Sequence, residues 1–444
     1  MSPASFLRRL LGRSRAGVGH DTQHLVSLCV ALLGERGEVS GAALARQALA
    51  AYLGLDERGR EEFFDTLAQE FAPSPEAVGK AADAYRYDPT PQNLIHLQEV
   101  IDTARQELFR RLNMAPGGTQ ALVEMRRQLL RGLKKHPAWS AIDADLLHLF
   151  RSWFNRGFLR LERIDWRTSA IVLEKLIQYE AVHAVQGWPY LRRRLAADRR
   201  CFGFFHPQLP DEPLIFIEVA LTRGLSAQVQ PLLDVDSLVA VPERADCAIF
   251  YSITNCQEGL RGTSFGNLLI KQVAEDLKRE FPHLDTFATL SPIPGFRRWL
   301  AQTETRVQLS MGPNAEQRLA LLATIERPGW HAGAVPEALQ KLLMRLCAWY
   351  LLHAKQGAEP LDPVSRFHLG NGAALERLNW LGDTSESGMA RSAGLMVNYI
   401  YRLEDVERNH ERYFSEHAVV ASRSVEKLAR KSPLAMPAEK RAEA

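Results

Sequence analysis

Hydroxyl and imidazole side chains are the groups in this sequence best suited to proton transfer, and they stand beside prolines and glycines that shape the backbone. Thr289 and Ser291 leave a predicted strand just before Pro292 in the run ATLSPIPGF. His368 stands in FHLGNG, and histidine is the side chain best able to deliver a proton near neutral pH. A hydroxyl and an imidazole brought together could orient and protonate a reacting group. An ordinary turn and a structural histidine would explain the same residues.

A glycine-rich turn precedes this segment and has the features of a phosphate site. In NCQEGLRGTSFG, Gly259 and Gly262 lack the Cβ that would keep the backbone away from a ligand, and Gly266 opens a predicted helix. Free N–H groups at the start of a helix attract anions, so this strand, turn and helix favour phosphate binding. A turn that needs positive φ angles would leave the same glycines.

Other familiar catalytic patterns do not occur in the sequence. Neither HExxH nor a Cys/His cluster at ligand spacing is found, so nothing predicts a metal site. GxSxG, which marks the nucleophile of α/β-hydrolases, is also missing. The five cysteines are scattered without a CxxC pair and are expected to be reduced core thiols, Cys256 in the turn being the one that could react.

Length and charge limit the kind of protein this can be. A chain of 444 residues with 46% hydrophobic residues can bury two cores, so two domains are expected. The net charge of +3 gives no large positive field, so nucleic acid is not expected as a partner. No apolar run reaches the roughly 20 residues of a membrane span, so no membrane is expected as a partner either.

The first half of the chain has the pattern of a helical bundle. Ser74-Pro75 and Thr90-Pro91 each combine an N-cap hydroxyl with a proline at the first helical position. Apolar residues at helical spacing predict one amphipathic helix over Asn93–Leu112. Basic pairs such as Arg126-Arg127 are expected to be solvated helix faces, with a docking surface for a partner or an anionic ligand as the alternative.

The second half has the pattern of a mixed sheet with helices. Short runs rich in β-branched and aromatic residues predict strands, and they are separated by a helix over Gly266–Phe281. The predicted strands are Cys201–Phe205, Leu214–Leu221, Ala248–Ile253 and Thr286–Leu290. We expect a flexible basic leader over 1–20, a helical domain over 21–156, an α/β domain with helical insertions over 157–432 and a disordered tail over 433–444, which makes the protein α+β overall. The leader could instead be a transit peptide.

Four segments together resemble the malonyl-CoA decarboxylase family. They are RCFGFFHPQLPDEPLIFIEVALT, SITNCQEGLRGTSFGNLLIKQV, FATLSPIPGFRRWL and FHLGNGAALERLNWLGD, and they lie in matching order within a resemblance that runs from about Phe158 to Tyr413. The resemblance implies a helical domain with oligomer contacts and a catalytic domain related to GNAT-type acetyltransferases. It also implies that the product is acetyl-CoA and that the subunits form a tetramer.

The resemblance assigns roles to individual residues. It places the catalytic pair at Thr289 and His368. Some family members carry serine where this chain has Thr289, and Ser291, two residues further on in the shared SPIPGF run, is the alternative hydroxyl. The loop that binds malonyl-CoA falls on Gly259, Leu260, Arg261, Gly262, Thr263, Ser264 and Phe265, with Gly266 following. Asn371, Asn398 and Tyr401 are further candidates for hydrogen-bond donors around the substrate.

The chemistry implied by the resemblance needs no cofactor. Loss of carbon dioxide leaves an enolate that the thioester itself delocalises, and the protein must orient the carboxylate, stabilise the enolate and protonate carbon. An acyl-CoA N-acyltransferase and a non-catalytic malonyl-CoA-binding regulator remain alternatives. The chain ends without the peroxisomal SKL tripeptide, which favours a bacterial-type cytoplasmic enzyme.

Overall fold

The structure is a computed structural model that describes residues 19–180, 182–263, 269–311 and 314–435. Within these ranges the chain divides into two compact units. The first contains residues 19–160, 205–214 and 257–263, and the second contains the remaining described residues. Two short segments from beyond residue 160 therefore belong to the helical unit. The predicted leader up to residue 18 and the predicted tail from residue 436 lie outside the described residues.

The first unit is built from helices. They are α1 (His20–Gly34), α2 (Glu38–Gly54), α3 (Glu57–Glu70), α4 (Pro75–Tyr87), α5 (Pro91–Ile101), α6 (Ala104–Asn113), α7 (Gly118–Gly132) and α8 (Ser140–Trp153). The predicted caps are confirmed, since Ser74 and Thr90 accept the N–H groups of Ala77 and Asn93. Phe64 packs against Trp139 with ring centroids 5.0 Å apart in the core of the unit.

Two predictions for this unit are wrong. The single helix expected over Asn93–Leu112 is two helices, because the Thr103 hydroxyl accepts the N–H of Gln106 and starts α6 anew. Arg126 is not on a solvated face: it is 2% exposed and its Nε bonds Asp143 Oδ1 at 2.8 Å. A helical pattern shows neither a cap inside it nor the acceptors that allow an arginine to be buried.

The second unit is organised around a mixed sheet. Its strands are β1 (Arg160–Ile164), β2 (Arg199–His206), β3 (Leu209–Thr222), β4 (Cys247–Asn255), β5 (Thr286–Thr289), β6 (Ser291–Pro292), β9 (Ala374–Asn379) and β10 (Met396–Ile400), while β7 (Lys355–Gln356) and β8 (Glu359–Pro360) form a separate pair. The order is β1-β2-β3-β4-β5-β10-β6, with β9 also paired to β10. β4 and β5 are parallel, whereas β10 runs antiparallel to its neighbours.

Helices and a buried apolar cluster complete this unit. The helices are α9 (Ala170–Tyr179), α10 (Trp188–Arg194), α11 (Gln230–Leu233), α12 (Leu269–Glu280), α13 (Phe296–Leu300), α14 (Thr303–Leu309), α15 (Ala315–Thr324), α16 (Glu337–His353), α17 (Pro363–Gly370), α18 (Glu386–Ser392), α19 (Val406–Glu416) and α20 (Arg423–Arg430). Ile249, Ala288, Leu290 and Met396 are fully buried together in the sheet, and such burial supplies most of the stabilising free energy of a fold.

The predicted α+β class is confirmed: helices form the first half and a mixed sheet the second. The predicted strands are present with bounds shifted by a few residues, and β1 is a strand that was not among those predicted. The finer likeness to acetyltransferases stays a prediction. All five cysteines are free, and among the described helices none is long and apolar enough to cross a bilayer.

Candidate active site

Two hydroxyl groups are placed side by side by a break in one edge of the sheet. β5 ends at Thr289, β6 begins at Ser291, and β10 pairs with both strands, with Ala288 opposite Ile400 and Ser291 opposite Val397. Ser291 Oγ donates to Thr289 Oγ1 at 2.8 Å.

The imidazole comes from the last turn of a short, capped helix. Asp362 caps α17 by accepting the N–H groups of Val364 at 3.0 Å and Ser365 at 2.9 Å, and Pro363 occupies the first turn. His368 lies near the end of this helix and is 3% exposed. At Gly372 φ is +82° and a Cβ would lie 2.1 Å from the carbonyl oxygen of Val406, so the chain can leave the helix this way only with glycine.

Hydrogen bonds join the imidazole to groups on both sides. His368 Nε2 lies 3.0 Å from Ser291 Oγ, and His368 Nδ1 lies 2.8 Å from the Tyr401 hydroxyl. The ring stacks on Tyr399 with centroids 4.6 Å apart. The hydroxyl proton of Ser291 is directed to Thr289, so Nε2 must carry the hydrogen in its bond with Ser291.

Burial fixes the protonation states of this group of side chains. It lowers the pKa of His368 to about 3, which leaves the imidazole neutral at physiological pH. Burial also raises the pKa of Tyr401 well above its ordinary value, so the phenol keeps its proton. Tyr401 therefore donates to Nδ1, and the Nε2–H of His368 points toward Ser291.

Ser291 and His368 open onto a cavity of about 220 Å³. Its other lining residues among those described are mainly apolar: Val182, Phe250, Tyr251, Ile253, Asn255, Pro292, Pro363, Val364 and Phe367. No lysine or arginine lines the described part of its wall. An acidic group entering this space would lose water and meet neutral hydrogen-bond donors.

The glycine-rich turn folds as part of the helical unit. A Cβ on Gly259 would lie 2.0 Å from the carbonyl oxygen of Val123 in α7, so packing against this helix by itself requires glycine here. Gly262 has φ +81°, which favours glycine. Thr263 is 8% exposed, and its Oγ1 has no hydrogen-bond partner among the described residues. Ser264, Phe265 and Gly266 lie outside the described residues.

Sequence comparison settles the family. Residues 71–154 match the model of the malonyl-CoA decarboxylase N-terminal domain, and residues 157–442 match that of the malonyl-CoA decarboxylase C-terminal domain. The chain belongs to the malonyl-CoA decarboxylase family. It is 38% identical over 372 residues to mitochondrial malonyl-CoA decarboxylase from Anser anser anser, a match that covers 79% of this chain and 71% of that protein.

Solved structures of the same family are similar over nearly the whole chain. Malonyl-CoA decarboxylase from Rhodopseudomonas palustris superposes with a TM-score of 0.86 at 48% identity, covering 91% of this chain and 99% of that one. The protein of the same name from Agrobacterium vitis gives 0.84 at 47% identity with the same coverage. The architecture described above is therefore that of a malonyl-CoA decarboxylase.

In this malonyl-CoA decarboxylase fold, the predicted pair of Thr289 and His368 is joined only through Ser291. Thr289 is fully buried, its Oγ1 also accepts the N–H of Tyr399 at 3.1 Å, and it is not among the residues that line the cavity. Ser291 makes the direct bond to the imidazole. A pattern of hydroxyls two residues apart cannot show which of them faces a cavity.

The side chains of two other predicted residues, Asn398 and Asn371, donate hydrogen bonds to backbone carbonyls. Asn398 Nδ2 donates to the carbonyl of Thr289 at 2.6 Å, and Asn371 Nδ2 donates to the carbonyl of Phe367 at 2.8 Å. Neither is among the cavity-lining residues. Sequence reasoning missed Tyr399 and Asp362, which position His368. An Asp-Pro pair such as that at 362–363 is a signal for the start of a helix, and it could have revealed the role of Asp362. The described residues contain no cluster able to hold a metal ion.

Proposed function

We propose that this protein converts malonyl-CoA to acetyl-CoA and carbon dioxide, and that Ser291 and His368 are the groups that act on the malonyl thioester. The observation that carries the proposal is the 3.0 Å contact between Ser291 Oγ and His368 Nε2 at the wall of a largely apolar cavity. Family membership supplies the reaction, and the geometry supplies the choice of residues. Thr289 is then a positioning residue that holds the Ser291 hydroxyl.

The bond to carbon dioxide breaks with its electrons moving into the thioester. The electron pair of the bond between the carboxylate carbon and the α-carbon becomes the enolate, and negative charge grows on the thioester oxygen. The Nε2–H of His368 is a hydrogen-bond donor at the cavity wall where this charge develops, and the Ser291 hydroxyl becomes a second donor when it rotates from Thr289 toward the substrate; donors at such a position are an effective form of catalysis. No side chain has to form a covalent intermediate.

His368 then supplies the proton that completes acetyl-CoA. A neutral imidazole is a weak acid, so loss of the Nε2 proton to the α-carbon must be matched by gain of a proton at Nδ1. The Tyr401 hydroxyl lies 2.8 Å from Nδ1 and can provide that proton. Solvent entering the cavity would afterwards protonate Nε2 while the Nδ1 proton returns to the Tyr401 oxygen, which restores the starting state.

The neutral wall of the cavity favours loss of the carboxylate. A carboxylate that leaves water for a site without a cation is destabilised, whereas carbon dioxide is uncharged and the enolate spreads its charge over the thioester. Among the described lining residues the polar groups besides Ser291 and His368 are Asn255 and Tyr251. We therefore assign catalysis in part to this change of environment.

The turn over residues 259–265 is proposed to hold the CoA part of the substrate. The orphan hydroxyl of Thr263 supports this role, because a buried hydroxyl without a partner costs free energy that a ligand oxygen would recover. The positive φ of Gly262 turns backbone groups outward in the same turn. Among the described residues, Arg261 supplies an exposed positive charge beside it.

The decisive experiment is incubation with malonyl-CoA and no acyl acceptor. A decarboxylase releases carbon dioxide and acetyl-CoA, an N-acyltransferase does neither without an amine, and a regulator only binds. His368→Ala and Ser291→Ala should each lower kcat by about 100-fold or more, as for loss of a general acid or an oxyanion donor. Thr289→Val should lower kcat by a smaller factor than Ser291→Ala does. A larger loss in Thr289→Val than in Ser291→Ala would move the reacting hydroxyl to Thr289.

Assembly and location complete the proposal. We propose a homotetramer that works in the cytoplasm; two bacterial proteins of the same name are 48% and 47% identical to this chain. Light scattering on the purified protein should give four times the mass of 49.9 kDa. A monomeric mass over the working concentration range would contradict the assembly.

A further inference from the structure

A buried arginine of the helical unit binds backbone carbonyls of the glycine-rich turn. Arg126 lies in α7, and its Nη1 donates to the carbonyl oxygens of Gly259 and Arg261, each at 2.8 Å. Its Nε donates to Asp143 Oδ1 of α8, also at 2.8 Å, so the buried charge is paired. These residues all belong to the first unit. One guanidinium thus ties two helices to the turn.

Three other carbonyls of the turn accept hydrogen bonds from within the turn. Those of Gln257, Glu258 and Leu260 accept N–H groups from Leu260, Arg261 and Thr263. The carbonyls that Arg126 takes are the two that face α7. Because buried carbonyls need partners, removal of the guanidinium would leave both unpaired and favour another turn conformation.

The bond to the Arg261 carbonyl also sets the direction of a donor. In a planar trans peptide the N–H points opposite to the C=O, so holding the Arg261 carbonyl toward α7 directs the N–H of Gly262 away from the helix. The close approach of Gly259 to Val123 leaves the turn little freedom to rotate. A donor held outward before the ligand arrives costs no reordering on binding.

We infer that Arg126 is a positioning residue for CoA binding, acting by fixing the turn at 257–263 in its binding conformation. The inference rests on the proposed role of this turn in holding CoA. It makes the helical unit a part of the substrate-binding apparatus in addition to any part it has in assembly. Arg126 itself touches no substrate.

The test separates binding of CoA from chemistry on the malonyl group. Arg126→Met should raise KM for malonyl-CoA by about 10-fold or more while kcat changes by less than about three-fold, the signature of lost uniform binding. The malonyl thioester of N-acetylcysteamine lacks the nucleotide and most of the pantetheine arm, so its kcat/KM should stay unchanged. Arg126→Lys, which can still donate to the carbonyls, should recover part of the KM.

A matched control is available in the same unit. Arg105 is also 2% exposed and pairs with Asp145, but it does not contact the turn. Arg105→Met should lower thermal stability without a change in KM for malonyl-CoA. If Arg126→Met leaves KM unchanged, if it lowers kcat/KM equally for both thioesters, or if Arg105→Met raises KM as much, the inference is overturned.

Binding measurements distinguish failure of this inference from failure of the proposed reaction. Calorimetry with free CoA tests the turn without any turnover, and weaker binding by Arg126→Met than by wild type would support the inference even if malonyl-CoA were not decarboxylated. Equal affinity would overturn it. If Arg126→Met does not fold, Asp143→Asn replaces it: this variant keeps an acceptor for Nε but removes the pairing charge, and it should bind free CoA more weakly than wild type does. Affinity equal to that of wild type would then overturn the inference.

Discussion

At the scale of single residues, the site depends on a histidine kept neutral by its surroundings. The His368 imidazole is bonded on one side by Tyr401 and on the other by Ser291, and burial lowers its pKa to about 3. With the hydrogen on Nε2, the ring offers a donor toward the cavity without first having to be charged. Its power as an acid then depends on Tyr401.

Tyr401→Phe should lower kcat by about 10- to 100-fold with a smaller change in KM, because proton delivery to Nδ1 is lost while the substrate contacts remain. Steady-state kinetics with malonyl-CoA checks this. Tyr399→Phe is the matched control, since its ring also stacks on His368 but its hydroxyl bonds Ser365 at 2.6 Å. Equal losses in the two variants would contradict the proton-relay role of Tyr401.

The lowered pKa of His368 also predicts how stability depends on pH. In the unfolded chain the imidazole takes a proton below about pH 6.5, whereas in the native state it stays neutral down to about 3. Stability from this residue is therefore complete above about pH 6.5 and is lost as pH falls toward 3, at up to about 1.4 kcal/mol per pH unit.

Urea unfolding of the wild type and of His368→Gln between pH 7 and pH 4 measures this effect. The stability difference between them should shift against the wild type as pH falls, because glutamine does not titrate. A difference that stays constant over that range would show that His368 is protonated in the native state.

At the scale of elements, a strand break and a capped helix bring the reacting groups together. β10 bridges β5 and β6 and so holds Thr289 and Ser291 in register, while α17 presents His368 from its last turn. The start of α17 is set by Asp362, whose carboxylate accepts two backbone N–H groups. A change in the pairing of β10 or in the start of α17 would move the His368 imidazole away from the Ser291 hydroxyl.

Asp362→Ala should destabilise the protein by about 1–2 kcal/mol and also lower kcat, because loss of the cap loosens the helix that carries His368. Thermal unfolding and the malonyl-CoA assay measure the two effects. Ser385→Ala removes a comparable cap from α18, where Ser385 accepts the N–H of Gly388 at 3.1 Å. It should lower stability alone, and a similar loss of kcat there would mean that the effect is general.

Local patterns predicted much of this architecture but could not predict the contacts at its centre. The caps at Ser74 and Thr90 and the strands around Phe250 and Ala288 follow from neighbouring residues, which is why they were predictable. The contact between Ser291 and His368 joins positions 77 apart, and it depends on strand pairing that no local pattern encodes. The packing reason for glycine at position 259 was not predictable, because a single sequence does not show that a helix carbonyl lies where a Cβ would be.

At the scale of the whole molecule, the two compact units do not coincide with two halves of the sequence. Residues 205–214 and 257–263 fold with the helices, although more than forty residues of the sheet unit stand between those two segments. Loss of the helices would expose apolar side chains such as Leu260, which is 1% exposed.

A chain restricted to residues 157–444 should therefore be poorly soluble and should bind CoA at least about 10-fold more weakly than the full chain. Calorimetry with CoA and size-exclusion chromatography check both expectations. Adding residues 19–156 as a separate chain should restore part of the binding. Full affinity in the shorter chain alone would show that the turn does not need its helical support.

The carbonyl of Val123 lies close to Gly259, and this contact limits how independently α7 and the turn can change in evolution. Natural recombination or a laboratory chimera that exchanges only the helical region would pair one protein's α7 with another protein's turn. Any side chain larger than glycine at position 259 would clash with the carbonyl of Val123. Although α7 and the turn are more than a hundred residues apart in the sequence, we expect a functional chimera to require both from the same parent protein.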